Sequence, residues 1–281
     1  VLPYRVQDNY DRKLKQKVYK SIILENDYLK ATFLPQLGGR LVSLIYKKEN
    51  KELLEHNPAI YFTNMSARRC WWSSGIEWNV GPYSHHYHTA APIFAVRIIG
   101  TQGEPALRLY EFERQKRIAW QIDFHLPPDS EFLYAKMKTV NTTDHKIPMF
   151  FWTCMAVEKT DDIRVISPAD STIFLDMNIK GYGFDYSKLP IVEAIGKKDI
   201  TYPTNLPCAS ATFLRVNKNQ RPWITALGKN GCGFIETSTR NFYGRKYFSW
   251  GNNVGGKNWQ QYLSIPGKRY IEIQAGLTRV Q

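Results

Sequence analysis

Apolar and polar residues alternate with a period of two along most of this chain. In "LKATFL", Leu29, Ala31 and Phe33 share one side, the period of a half-buried strand. "PQLGG" then turns and "RLVSLIY" returns, so residues 21–54 are predicted to hold a hairpin. "FAVRIIG", "ALRLYEFERQKRIAWQIDFHLP", "FLYAKMKTVNTTD" and "PMFFWTCMAVE" continue the pattern, separated by turn signals such as "LPPDS" and "NTTDHK". "WITALGKNGCGFIETS", "RKYFSWG", "WQQYLS" and "RYIEIQAGLTRV" complete it. Residues 167–210, rich in Pro, Gly and Asp, break the alternation and are expected to form a long irregular functional loop. No 3.6-residue stripe of useful length and no fixed-period repeat occur. The prediction is an all-β protein: a large antiparallel sandwich, one domain over 1–281, with 1–20 as an N-terminal arm or edge.

A composition of 43% hydrophobic and 22% charged residues is that of a globular chain able to bury a core. No apolar run approaches the ~20 residues of a membrane span. The start, "VLPYRVQDNY", lacks the layout of a signal peptide and an initiator Met, which leaves the compartment open. The end, "YIEIQAGLTRVQ", has no polar tail, so a further C-terminal interaction domain is expected beyond it. The net charge of +13 admits a polyanion partner, but the basic residues are scattered apart from "DRKLKQKVYK" at 11–20. A solvated basic surface accounts for them. Cys70, Cys154, Cys208 and Cys232 form no CxxC pair, which argues against structural zinc and leaves free thiols as the default.

Two stretches resemble a known superfamily. "NDYLKATFLPQLGGRLVSLIYKKENKELLEHN" is similar to the opening of galactose mutarotase-like (aldose 1-epimerase-like) proteins, and "TVNTTDHKIPMFFWTCMAVE" to their later strand pair. "GIEWN", "PADSTIF", "RPWITAL", "GRKYFSWG" and "EIQAGL" together resemble a mutarotase-like domain family of unknown function, often joined to helical repeats. The resemblance implies a β-supersandwich of two large antiparallel sheets with a sugar site in its concave face. Mutarotases use a glutamate base at the anomeric hydroxyl and a histidine acid at the ring oxygen, groups of opposite protonation state. Here the histidine's position falls on or near Cys154, and the glutamate's strand corresponds to "KYFSWG", which has no carboxylate. Both departures weigh against a simple aldose mutarotase.

The stretch "GIEWNVGPYSHHYH" gathers Glu77, Trp78 and three of the six histidines, with Gly75 and Gly81-Pro82 bracketing a strand end that enters a loop. An apolar wall at Trp78 would raise the Glu77 pKa toward that of a general acid. On an extended segment His86 and His88 point one way and His85 the other. The pair could hold a divalent metal, with Glu77 as a third ligand. They could equally contact sugar hydroxyls, act as acid and base, or be plain loop histidines. Bond cleavage at an anomeric centre needs a second carboxylate. Glu272 shares a strand face with Tyr270 and Gln274, and is the candidate.

Aromatic faces stack on sugar C–H faces while amides and guanidinium groups meet hydroxyls. Trp71, Trp72, Trp78, Trp152, Trp250 and Trp259 are therefore candidate walls, and Arg40, His85, Gln261 and Gln274 candidate polar contacts, with Arg68 and Arg69 beside the Trp pair. No Walker pattern, GxSxG elbow or nucleic-acid motif occurs; "GKNGCG" and "GNNVGGK" read as hairpin turns. The reading is a carbohydrate-active protein with no required cofactor and no nucleic-acid partner. It would be a glycoside hydrolase-like enzyme using Glu77, Glu272, His86 and His88, with an acidic saccharide suiting the charge. A non-catalytic recognition module and an epimerase with relocated catalytic groups are the alternatives.

Overall fold

The computed structural model describes residues 4, 11, 13–66, 69–81, 85–176 and 183–280. The chain forms two compact units, 1–151 and 152–281.

In the first unit, β1 (Ile22–Glu25), β2 (Leu29–Leu34) and β3 (Arg40–Tyr46) make an antiparallel meander, with β4 (Lys51–Glu52) paired on β3. β5 (Thr63–Ser66) and β6 (Arg69–Trp71) form a small ribbon, and β7 (Ile76–Val80) joins β3 at Leu41–Ile76. The second layer is an antiparallel sheet of β8 (Phe94–Ile99), β9 (Pro105–Glu113), β10 (Ile118–His125) and β11 (Tyr134–Asn141), in the order β11-β10-β9-β8. Alternation explains the layering. Leu29, Ala31 and Phe33 are buried on β2, as are Ile118, Trp120, Ile122 and Phe124 on β10. The layers meet where Phe124 lies 4.7 Å from Phe33 and 5.0 Å from Trp78 between ring centroids. Each such side chain contributes about 1.5–3 kcal/mol by leaving water. The predicted "PQLGG" turn is present: a 3₁₀ turn over Pro35–Leu37, then Gly38 with φ of 70°. A Cβ on Gly38 would stand 2.8 Å from the His88 carbonyl oxygen, so glycine lets β3 start hard against the His88–Thr89 loop.

In the second unit, β12 (Phe151–Glu158), β13 (Arg164–Ile166), β14 (Ala169–Asp176), β15 (Gly183–Lys188), β16 (Ile191–Val192) and β17 (Lys198–Asp199) are followed by β18 (Ser210–Val216), β19 (Trp223–Leu227), β20 (Gly233–Thr237), β21 (Gly244–Ser249), helix α1 (Val254–Leu263) and β22 (Tyr270–Gly276). The main sheet runs β12-β22-β21-β18-β14-β15, antiparallel throughout. β13, β19 and β20 form a smaller sheet. Two expectations are corrected. Residues 167–210, expected to be irregular, contain β14 to β17; a bulge at Ala169/Ser171 breaks the alternation that would have betrayed β14. "GNNVGGK" and "WQQYLS", read as a turn and a strand, form α1 instead, started by the Asn253 side chain accepting from the Gly256 N–H at 2.8 Å. The four cysteines are free, and Cys70, Cys154 and Cys208 are buried.

Candidate functional site

β7 and the described residues that follow it carry a buried polar cluster. Every residue of β7 is buried, Glu77 among them at 2% exposure. A buried carboxylate needs partners, and Glu77 has several. The His85 Nδ1 lies 2.8 Å from Oε2, and Asn79 Nδ2 donates to the same oxygen at 3.4 Å. Thr89 Oγ1 donates to Oε1 in a short bond, with Arg40 NH2 at 3.5 Å from that oxygen. Burial opposes ionisation of Glu77, but the charges of His85 and Arg40, then the His85 and Thr89 hydrogen bonds, outweigh it and bring the pKa down to about 2. This corrects the expectation of a raised pKa: Trp78 turns its indole N–H to the Gly39 carbonyl at 3.2 Å and packs on Phe124, leaving the carboxylate to its polar partners.

An ionised carboxylate only accepts, so His85 must donate to it from Nδ1, which leaves Nε2 as the ring's other polar atom. The His85 side chain keeps 15% of its exposure, against 2% for Glu77, with the Trp71 ring centroid 5.8 Å away. Arg40 is 3% exposed, donates to the Ser74 carbonyl at 2.9 Å and lies 4.0 Å over the Trp72 ring. It is a buried support for Glu77 rather than a surface contact.

His86 and His88 do lie together, their facing nitrogens 3.5 Å apart, because residues 87–90 form a turn. Burial, then the neighbouring His88 charge, push His86 down to about 3, so it is neutral at ordinary pH. His88 is also lowered, by burial against the pull of Glu111, whose carboxylate is 3.9 Å from Nε2. Tyr4 stacks on Tyr87 at 4.3 Å and meets His88 edge-on at 5.4 Å. Among the described residues no group of three or more His, Cys, Asp or Glu is arranged to hold a metal ion.

The second unit holds the remaining candidates. Glu272 is 8% exposed and accepts from Gln274 Nε2 at 2.8 Å. Lys246 stands opposite Gln274 on β21 and lies close enough to Glu272 for their charges to interact; burial lowers its pKa against the pull of Cys154 and Glu272. Cys154, where the family resemblance places a histidine, faces Gln274 from β12. Trp152 is fully buried over Gly276, its N–H bonded to Thr278 at 3.0 Å. Trp72 is likewise core, donating to the Thr89 carbonyl at 3.0 Å. Trp250 stacks on half-exposed Trp259 at 5.6 Å, and Gln261 is exposed on α1. Arg68, Pro82 and the side chain of Arg69 lie outside the described residues.

The residues that complete the Glu77 site and were missed in sequence are Thr89, Asn79 and Ser74. Thr89 directly follows the histidine run, the one local signal available.

The fold has relatives of known structure. A TPR-domain-containing protein from Parabacteroides distasonis ATCC 8503 superposes with a TM-score of 0.85 at 21% identity over 100% of this chain, which spans 46% of that protein. A galactose mutarotase-like protein from Clostridium acetobutylicum matches 92% of this chain and 85% of its own at a TM-score of 0.57 and 13% identity. A protein from Klebsiella pneumoniae proposed to be an aldose 1-epimerase matches 89% and 68% at 0.59 and 11%. These likenesses establish the antiparallel, galactose mutarotase-like fold. Residues 1–281 match the model of one family throughout, and the chain belongs to it: the domain family of unknown function DUF5107.

Proposed function

We propose that this chain recognises a saccharide and that His85, oriented by Glu77, is the group that exchanges a proton or hydrogen bond with a sugar hydroxyl. The observation carrying this reading is the 2.8 Å contact between a buried ionised carboxylate and a histidine that keeps access to solvent. A carboxylate behind an imidazole fixes its tautomer and stabilises the imidazolium formed when Nε2 takes a proton. The carbohydrate-related fold supports a sugar as the substrate class, and the net charge of +13 suits an acidic one.

A second reading, a non-catalytic recognition module, is favoured by the Glu77 pKa of about 2. Such a group cannot donate a proton at neutral pH, where glycosidic cleavage employs one carboxyl as the proton donor. Because the chain spans under half of a TPR-domain-containing relative, we read it as a sugar-recognising head acting beside interaction repeats.

The test is tryptophan fluorescence titrated with neutral and acidic mono- and oligosaccharides, alongside NMR of anomer exchange and reducing-end release. His85→Gln is expected to weaken binding at least tenfold. If turnover occurs it should fall by about 10²–10⁴. Binding without turnover selects the recognition module. Undiminished binding of every sugar by His85→Ala, or no response of the wild type to any sugar, would refute both readings.

A further inference from the structure

The outer face of the β8–β11 sheet has no place in the site above, yet it is not an ordinary solvated surface. The strand register arranges it in rows: Phe112, Ala119 and Val140; Phe94, Tyr110, Gln121 and Lys138; Val96, Arg108, Asp123 and Lys136. Aromatic and apolar groups collect on β8 and β9, amide and carboxylate on β10, cations on β11. Phe94 is 57% exposed, Tyr110 39% and Val140 47%, where single exposed hydrophobics would be unremarked but a contiguous group marks a binding surface.

The face is also shaped. A groove of about 390 Å³ runs over β10, walled by Tyr110 on one side and by Lys138 and Val140 on the other. Ala119 and Gln121 form its floor, and the small Ala119 side chain between Phe112 and Val140 gives it depth. The polar groups are fixed in place. Arg108 Nε and NH2 reach the two Asp123 oxygens at 2.7 and 2.8 Å, and Gln121 Nε2 donates to the same carboxylate at 3.1 Å. That leaves the Gln121 carbonyl and the rest of the guanidinium for a ligand. Glu111 also borders the groove, but its carboxylate turns inward toward His88.

We propose that this groove is a second carbohydrate site, for an anionic oligosaccharide: one ring stacks on Tyr110 above Ala119, and the carboxylate or sulfate of the adjoining ring pairs with Lys136 and Lys138. The spacing fits, since β9 and β11 are two strand separations, about 10 Å, apart, the reach of two linked rings. Charge fits as well: Arg108, Lys136 and Lys138 outnumber Asp123. Single-stranded nucleic acid fits less well. Phe94 and Tyr110 stack on each other at 5.2 Å and 19°, so they do not offer successive open platforms to bases.

The experiment uses the whole chain and isothermal titration calorimetry with oligogalacturonide, chondroitin sulfate oligosaccharide, cellohexaose and oligouridylate. Ala119→Trp fills the groove and Lys136→Glu/Lys138→Glu reverses its charge; all three positions lie on the outer face of the sheet, and thermal unfolding checks that each variant is folded. The proposal expects oligogalacturonide or the sulfated oligosaccharide to bind wild type and His85→Ala alike. Affinity should drop at least tenfold in Ala119→Trp and in the charge-reversed variant, while cellohexaose binds more weakly and is indifferent to charge reversal. The proposal is overturned if neither groove variant changes binding, if no acidic oligosaccharide binds, or if oligouridylate binds as tightly with the same sensitivity. Loss of all sugar binding in His85→Ala with none in Ala119→Trp would retain the first site alone; the reverse would retain this one alone.

Discussion

Replacing Glu77 by Gln keeps the shape of the side chain and removes its charge. In the folded protein this carboxyl is held at about 2, against 4.5 for an ordinary glutamate. The sign follows from linkage: a depressed carboxyl contributes stability that is fully present above the unfolded pKa and is lost as pH falls through the folded one. A shift of that size corresponds to about 3 kcal/mol favouring the ionised form at pH 7. Independently, removing one partner of a buried ion pair costs about 3–5 kcal/mol because the other charge is stranded; here it is Arg40, 3% exposed. Urea unfolding of wild type and Glu77→Gln should therefore differ by about 3 kcal/mol at pH 7, and by only about 2 kcal/mol at pH 3.5, where the unfolded chain gains a proton the native one resists. Coincidence of far-ultraviolet circular dichroism with tryptophan emission would establish that one transition is followed. A difference below 1 kcal/mol at pH 7, or one that does not change with pH, would refute the account of Glu77 as an ionised, fully partnered group.

Three further outcomes follow from particular contacts. His86, held neutral with a pKa near 3, binds its proton more weakly folded than unfolded, so stability should fall as pH drops below about 6.5, by up to about 1.4 kcal/mol per pH unit; His86→Asn should flatten that slope in a pH series of melts. Gly276→Ala would put a Cβ 2.1 Å from the Trp152 indole inside a fully buried strand, and should lower stability by about 1–3 kcal/mol or more, read as a lower denaturant midpoint. Asn253→Ala removes the side chain that caps α1 and should cost about 1 kcal/mol, while Asn253→Asp, which keeps the acceptor, should melt close to wild type.

The strands were readable where burial is one-sided. β2 exposes every second residue, and its alternation, followed by the Gly38 turn, is visible in sequence as it is in space. α1 was not readable, because its buried residues are Gly256, Gln260 and Leu263, which form no apolar stripe, while Trp259 and Tyr262 stay exposed. What marks it is a cap, and an Asn before two glycines is also how a turn is written. The tryptophans fail for a related reason. Trp71, Trp72 and Trp78 lie in one short stretch and all three are buried; the N–H groups of Trp72 and Trp78 reach backbone carbonyls, and the Trp71 ring lies near His85. Nothing local separates them.

The site divides along the same line. That Glu77 and the histidines belong together is local information, since a strand end and a short loop bring them within reach. Which proton state Glu77 holds is only partly local. Arg40 arrives from β3, 37 positions upstream, through the turn that glycine permits at 38 and 39, and Thr89 closes on the carboxylate from the far side of the loop. An aromatic neighbour in sequence argued for a raised pKa; the His85 charge from the loop, the Arg40 charge from β3 and the His85 and Thr89 hydrogen bonds lower it. The chemistry inverts with them: Glu77 passes from proton donor to fixed anion, and under the proposed function the group left to act is the histidine it holds. A carboxylate's role in a β-sandwich is thus set by what the neighbouring strands deliver to it, and here β3 delivers a guanidinium.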